Sequence, residues 1–211
     1  MTQTILAFGD SNTHGTPPMA NRNHHPRLKM RWPLAFQNAT GCTLIEDGLP
    51  GRTACQIAAN SPDLHLDGHL GLRMALLTHG PIDHLFIMLG TNDLQTKYGK
   101  SLDAITAGIA GLLAMAHAND IQNQHGGFQT TLICPPPVRE TGSFVPEFLG
   151  GAAKSRALPA LFAALAAAWN TTIIDAGQFI TTSPADGVHF DADAHKTLGL
   201  AIAEQLSPSF E

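Results

Sequence analysis

Ile5-Leu6-Ala7-Phe8-Gly9-Asp10-Ser11-Asn12 is four apolar residues followed by a glycine, an acid and a serine. A short apolar run closed by turn-forming residues reads as a strand buried on both faces, which leaves the serine on the turn that follows it. Similar runs recur at Thr43–Glu46, His84–Leu89, Thr131–Cys134 and Thr172–Asp175. Helical patterning falls at Trp32–Ala39, Asp67–Thr78, Leu102–Ala118, Ala152–Ala168 and Ala192–Leu206. Strands alternating with helices predict a parallel five-stranded sheet between two helical layers, an α/β three-layer sandwich. In such open sheets functional groups gather beyond the carboxyl ends of the strands. Ser11, Gly48 and Asn92 all fall there.

The chain has 211 residues, enough for one α/β domain with a real core, and residues 1–211 are read as a single domain. Hydrophobic residues make up 44% and charged residues 14%, and no run approaches the roughly 18 consecutive apolar residues of a membrane span. A net charge of −5 without a Lys/Arg cluster argues against nucleic acid, because neutralising phosphates takes clustered cations. Small neutral substrates fit better. Met1-Thr2-Gln3-Thr4 leads straight into the first strand with no leader-like segment. Together with three cysteines, Cys42, Cys55 and Cys134, read as free thiols, this sets the expectation of a cytoplasmic protein.

A serine hydroxyl is a weak nucleophile until an imidazole takes its proton, and the imidazole needs a carboxylate to fix its tautomer. Asp186-Gly187-Val188-His189 offers that pair on one short turn. A tetrahedral intermediate also needs donors aimed at its oxyanion. Gly48, in Asp47-Gly48-Leu49-Pro50-Gly51-Arg52-Thr53, can bring a backbone N–H close to a ligand because it has no side chain, and Asn92, in Gly90-Thr91-Asn92-Asp93, can donate its amide. Asp93 is expected to tie down the Asn92 turn by local hydrogen bonds. Two irregular stretches, Thr16–Lys29 with its His24-His25 pair and Pro135–Gly151, are expected to wall the cleft. His14, Thr91, Phe144 and Phe148 are the substrate-binding candidates. An apolar display of Phe144, Phe148 and Leu149 has a second reading, a contact in a homo-oligomer.

These four blocks, in this order, resemble the SGNH (GDSL-type) esterases and lipases over nearly the whole chain. Ile87-Met88-Leu89-Gly90-Thr91-Asn92-Asp93, Pro135-Pro136-Pro137 and Asp175-Ala176-Gly177 are similar to the branch of bacterial arylesterases and acyltransferases. The resemblance implies a flavodoxin-like sandwich of strand order 2-1-3-4-5, Ser11 as nucleophile, Asp186 and His189 as its partners, and oxyanion donors from Ser11, Gly48 and Asn92. Asn12 stands where the family often has leucine, and His14 where this branch often places a bulky aromatic.

The chemistry calls for no cofactor. His65 and His69, four apart, share one face if helical, but a zinc site needs a third ligand, so no metal is expected. His79, His84, His117 and His125 are read with His24 and His25 as surface or partly buried. His195 lacks an acid three residues before it, where Ala192 stands. The expected activity is hydrolysis of short-chain or aryl esters through an acyl-enzyme, with transfer to alcohols as an extension. The alternatives are deacetylation of a carbohydrate or natural product, and a non-catalytic flavodoxin-like binding module. The first strand lacks the Gly-x-Gly-x-x-Gly spacing that favours the latter.

Overall fold

Side chains alternate between the two faces of a strand, and here that alternation divides the core in two. In the computed structural model, which describes residues 2–19 and 26–206, the strands are β1 (Thr4–Gly9), β2 (Thr43–Gly48), β3 (His84–Met88), β4 (Gln129–Cys134) and β5 (Thr172–Asp175). The helices are α1 (Ser11–His14), α2 (Trp32–Thr40), α3 (Gly68–Thr78), α4 (Leu102–Ala116), α5 (Asn119–His125), α6 (Val145–Phe148), α7 (Gly151–Ala168) and α8 (Ala192–Leu206). Ile5, Ala7, Phe86 and Ile133 pack on one face with Trp32 and Phe36 of α2 and Leu198 and Ile202 of α8. Leu6, Phe8, Ile87 and Leu132 pack on the other with α3, α4 and α7 through Leu72, Ile109, Leu113 and Phe162. Burial on both faces is why the strands read as continuous apolar runs.

The sheet order is β2-β1-β3-β4-β5, all parallel, as the family resemblance implied. The order reverses at β1, whose neighbours are β2 on one side and β3 on the other, and a crevice forms at the carboxyl ends beside such a switch. Several boundaries differ from the sequence reading by one or two residues. β2 runs on past Glu46, because its pairing with β1 continues to Gly9 opposite Gly48. The helix expected over 102–118 ends at Ala116, and α5, which the sequence reading did not include, starts after an extended Ala118. All three cysteines are unpaired and buried. Among the described residues no single helix is long and apolar enough to cross a membrane.

Histidines are more interior than the sequence suggested. His84 and His125 are buried, as is His195, while His24 and His25 lie outside the described residues. His84 Nε2 meets Thr131 Oγ1 at 2.8 Å across β3 and β4, and burial pushes the imidazole down to about 4. The fold therefore favours the neutral ring. Its contribution to stability is complete above pH 6.5 and is lost as the pH falls towards 4. Over that window the wild type should lose up to about 3 kcal/mol relative to His84→Gln. Urea unfolding midpoints of the two proteins measured against pH check this, and parallel curves would contradict it.

Candidate active site

Ser11 is the first residue of α1, directly after β1, so its N–H has no partner within the helix. Asp10 caps the same helix, its carboxylate accepting the Asn12 N–H at 2.9 Å. Asn12 in turn donates its side-chain amide to the Val188 carbonyl at 3.3 Å, tying the serine turn to the turn that carries His189. His189 Nε2 lies 3.0 Å from Ser11 Oγ, and His189 Nδ1 lies 2.7 Å from Asp186 Oδ2. Both bonds are buried. This is an unbroken path for moving a proton from the hydroxyl to the imidazole, with a carboxylate behind it.

Asp186 is held by its surroundings as well as by the imidazole. Its Oδ1 accepts the N–H groups of Val188 and His189, each at 2.9 Å, and its Oδ2 accepts the Met19 N–H at 3.0 Å. Burial opposes its charge. The side chain of His189 and the backbone N–H groups of His189 and Val188 outweigh that cost and hold the carboxyl below the usual carboxylate range. Ser143 completes the arrangement by donating its hydroxyl to the Met19 carbonyl at 2.7 Å. Both irregular stretches expected to wall the site thus reach the Asp186 turn, although residues 20–25 of the first lie outside the described residues.

A cleft of about 210 Å³ opens over Ser11 and His189 and is lined by Thr16, Met19, Pro50, Gly51, Asn92, Gln95, Phe144, Phe148 and Val188. Phe144 and His189 meet in a T-shaped arrangement, with ring centroids 5.5 Å apart. Phe148 is buried in the core cluster as well as bordering the cleft, whereas Leu149 is 64% exposed. The expected apolar display is therefore split, with Phe144 and Phe148 turned inward. A larger depression of about 440 Å³, between Cys55, His69, Lys100 and Gly108, contains no comparable pair of nucleophile and base. There the Cys55 thiol donates to the Ala104 carbonyl at 3.2 Å, and burial pushes its pKa up.

Three candidates are placed differently from the sequence reading. Gly48 is not at the cleft. It is the last residue of β2 and packs directly on the backbone of α1, where an added Cβ would come 2.3 Å from the His14 nitrogen. Gly51, three residues on, takes the place expected for it: it lines the cleft with φ of +89°, and among the described residues no carbonyl accepts its N–H. His14 sits away from the cleft lining with its Nδ1 3.2 Å from Thr16 Oγ1. Thr91 is buried under the Asn92 turn, where its carbonyl accepts the Leu94 N–H at 3.2 Å.

Asn92 does border the cleft. Its Nδ2 donates to the Arg52 carbonyl at 3.0 Å and, over a longer 3.3 Å, to Asp10 Oδ2. Asp93 has a wider reach than its own turn: its carboxylate accepts the Ala54 and Cys55 N–H groups at 2.8 and 2.7 Å, clamping the segment after Gly51 and Arg52. The buried Arg52 side chain fixes that segment from beneath, donating to the carbonyls of Gly9 and Asp47 at 2.9 and 2.6 Å with its guanidinium 4.1 Å from the centre of the Phe8 ring. Burial pushes Asp10 up to about 6, although the Asn12 N–H and the neighbouring His189 act the other way. His65 and His69 do not converge: His65 Nδ1 lies 3.2 Å from the Pro62 carbonyl, and His69 Nε2 lies 2.9 Å from that of Gly108. No group of metal-binding side chains occurs among the described residues.

With this fold and constellation the chain belongs to the GDSL-like lipase/acylhydrolase family, which matches residues 7–197. Its structure is similar to that of an aryl esterase from M. smegmatis, at 30% identity and a TM-score of 0.89, over 98% of this chain and 99% of that one. It is equally similar to a carbohydrate acetylesterase from Sinorhizobium meliloti, at 30% identity and a TM-score of 0.90, over 99% of this chain and 100% of the other. A lipase/acylhydrolase from Enterococcus faecalis, 19% identical over 99% and 97% of the two chains with a TM-score of 0.69, shares the fold. No curated protein matches the chain in sequence.

The placements of Gly48 and Gly51 separate under substitution. Gly48→Ala should sharply lower the melting temperature, because its Cβ meets backbone rather than a movable side chain. Gly51→Ala should remain folded, losing about 1–3 kcal/mol for a side chain at positive φ, and keep most of its turnover because the N–H remains. A Gly48→Ala protein as stable as wild type would contradict this placement.

Proposed function

We propose that the chain is a serine carboxylic ester hydrolase acting through an acyl-enzyme on small esters. The observation that carries this reading is the buried path Ser11 Oγ to His189 Nε2 to Asp186, with bonds of 3.0 and 2.7 Å, opening onto a cleft. An ester carbonyl held there is attacked by Ser11 Oγ as His189 Nε2 takes the serine proton. The oxyanion is met by the N–H groups of Ser11 and Gly51 and by Asn92 Nδ2, whose longer bond to Asp10 yields to the stronger charge-assisted one. Collapse of the intermediate breaks the bond to the alcohol, which leaves with the proton from His189. Water then enters by the same steps, giving its proton to His189 and releasing the acid and free Ser11.

The cleft's size and lining support a substrate class. A volume of about 210 Å³ is below the roughly 300–1,000 Å³ of sites for larger ligands, which favours short acyl groups. Met19, Pro50, Phe144, Phe148 and Val188 make the walls largely apolar, which favours an aryl or apolar alcohol over a sugar. The same walls support acyl transfer, since an apolar alcohol gains by burying its surface there while water does not. Three buried, unpaired thiols agree with a reducing, cytoplasmic location.

Ser11→Ala and His189→Ala should each lower kcat for p-nitrophenyl acetate by about 10⁴-fold or more while leaving the fold intact, because triad members act as a unit. Near-normal turnover by either folded variant would overturn the assignment. Among acyl groups, acetate and propionate esters should exceed the octanoate ester in kcat/KM by at least about tenfold, as expected when a chain outgrows its pocket. Adding benzyl alcohol should divert part of the acyl group into benzyl ester, measured by product analysis. Free acid alone at every alcohol concentration would remove acyl transfer and leave the hydrolase.

A further inference from the structure

Gln95 grips Asn92 twice. Its backbone N–H donates to the Asn92 carbonyl at 3.1 Å, and its side-chain Nε2 donates to Asn92 Oδ1 at 2.8 Å. The orientation of both amides follows from their partners. Asn92 Nδ2 faces the Arg52 carbonyl and the Asp10 carboxylate, both of which accept in the ionised form of Asp10, so Asn92 must turn its oxygen to Gln95, and Gln95 must answer with its NH2 group. Gln95 also borders the cleft, close to where the reaction would take place.

We propose that Gln95 is a positioning residue for catalysis, acting through Asn92 to aim its amide at the oxyanion and to polarise it; this rests on the esterase reading. Two physical effects combine. A donor on Oδ1 fixes the plane of the Asn92 amide, so that the hydrogen bonded to Asp10 over the longer 3.3 Å stays within reach of the cleft. Donation to an amide oxygen also draws electron density from the nitrogen, making its N–H groups stronger donors. Both effects matter most when negative charge develops on the substrate oxygen, so they act on the transition state more than on ground-state binding.

The test is a series at one position, with kcat, KM and melting temperature measured for p-nitrophenyl acetate. Gln95→Met keeps the length and removes the donor. It should lower kcat about tenfold with KM little changed, a fraction of the roughly 10²–10³-fold that loss of a direct oxyanion donor costs. Gln95→Glu places a carboxylate against Asn92 Oδ1 and should lower kcat further. Gln95→Lys restores a donor of similar reach and should recover most of the loss. A boronic acid inhibitor, whose tetrahedral adduct on Ser11 presents an oxygen to the same donors, should weaken in parallel with kcat.

Wild-type kcat in Gln95→Met, or a Lys variant as impaired as the Met variant at equal stability, would overturn the proposal. A wild-type protein no faster than Ser11→Ala would instead overturn the esterase reading, and the role of Gln95 with it. The two failures are thus distinguishable in one assay.

Discussion

The hydrogen bond between Ser11 and His189 joins residues 178 positions apart, and much of the fold serves to hold it. Ser11 is fixed by β1, an interior strand of the sheet with a neighbour on each side. His189 is fixed by a turn that several separate segments brace. The Ser183 N–H donates to the His189 carbonyl, the Arg139 N–H donates to the Gly187 carbonyl, each at 2.8 Å, and Met19 holds the carboxylate of Asp186. A bond of this length tolerates little displacement at either end. Bracing from distant segments is the way a short turn near one end of the chain stays in register with a strand near the other.

Buried carboxylates do much of that work, and they do it in two ways. Asp186 carries its charge where three backbone N–H groups and an imidazole compensate it, so it remains a strong acceptor at the back of His189. Asp10 and Asp93 are also buried, and burial drives both upward in pKa. Asp10 spends one oxygen on the Asn12 N–H, capping the helix that carries Ser11, and the other on the Asn92 amide, while Asp93 clamps residues 54 and 55 through their N–H groups. Removing a buried acceptor leaves its donors unpaired at a cost of about 1–3 kcal/mol each. The loops that present Gly51 and Asn92 are thereby kept stiff, as the role proposed for them as preorganised oxyanion donors requires.

The sheet was legible in the sequence because strands covered on both faces leave apolar runs, and the Asp186/His189 pair because its two members are local to one turn. The Gly48 and Gly51 placements were not. Both glycines lie in one short run, and polar Glu46 and Asp47 hid the last two residues of β2, so the first glycine looked like the first loop residue. Met19 acts through its backbone N–H, which no side chain advertises. The directions taken by Phe144, Phe148 and Leu149 depend on a single helical turn, too short for its periodicity to be read. Gln95 left a weak signal, a polar residue three positions after Asn92, where one turn returns to the same side.

The central claim is that Ser11 is made nucleophilic by His189. A fluorophosphonate, which reacts with activated serines and leaves a tetrahedral phosphorus on the oxygen, measures that activation directly. The expected result is one label per chain, mapped to the peptide containing Ser11, with a rate constant that falls by orders of magnitude in His189→Ala. Labelling at a different residue, or at Ser11 with an unchanged rate in His189→Ala, would contradict the account.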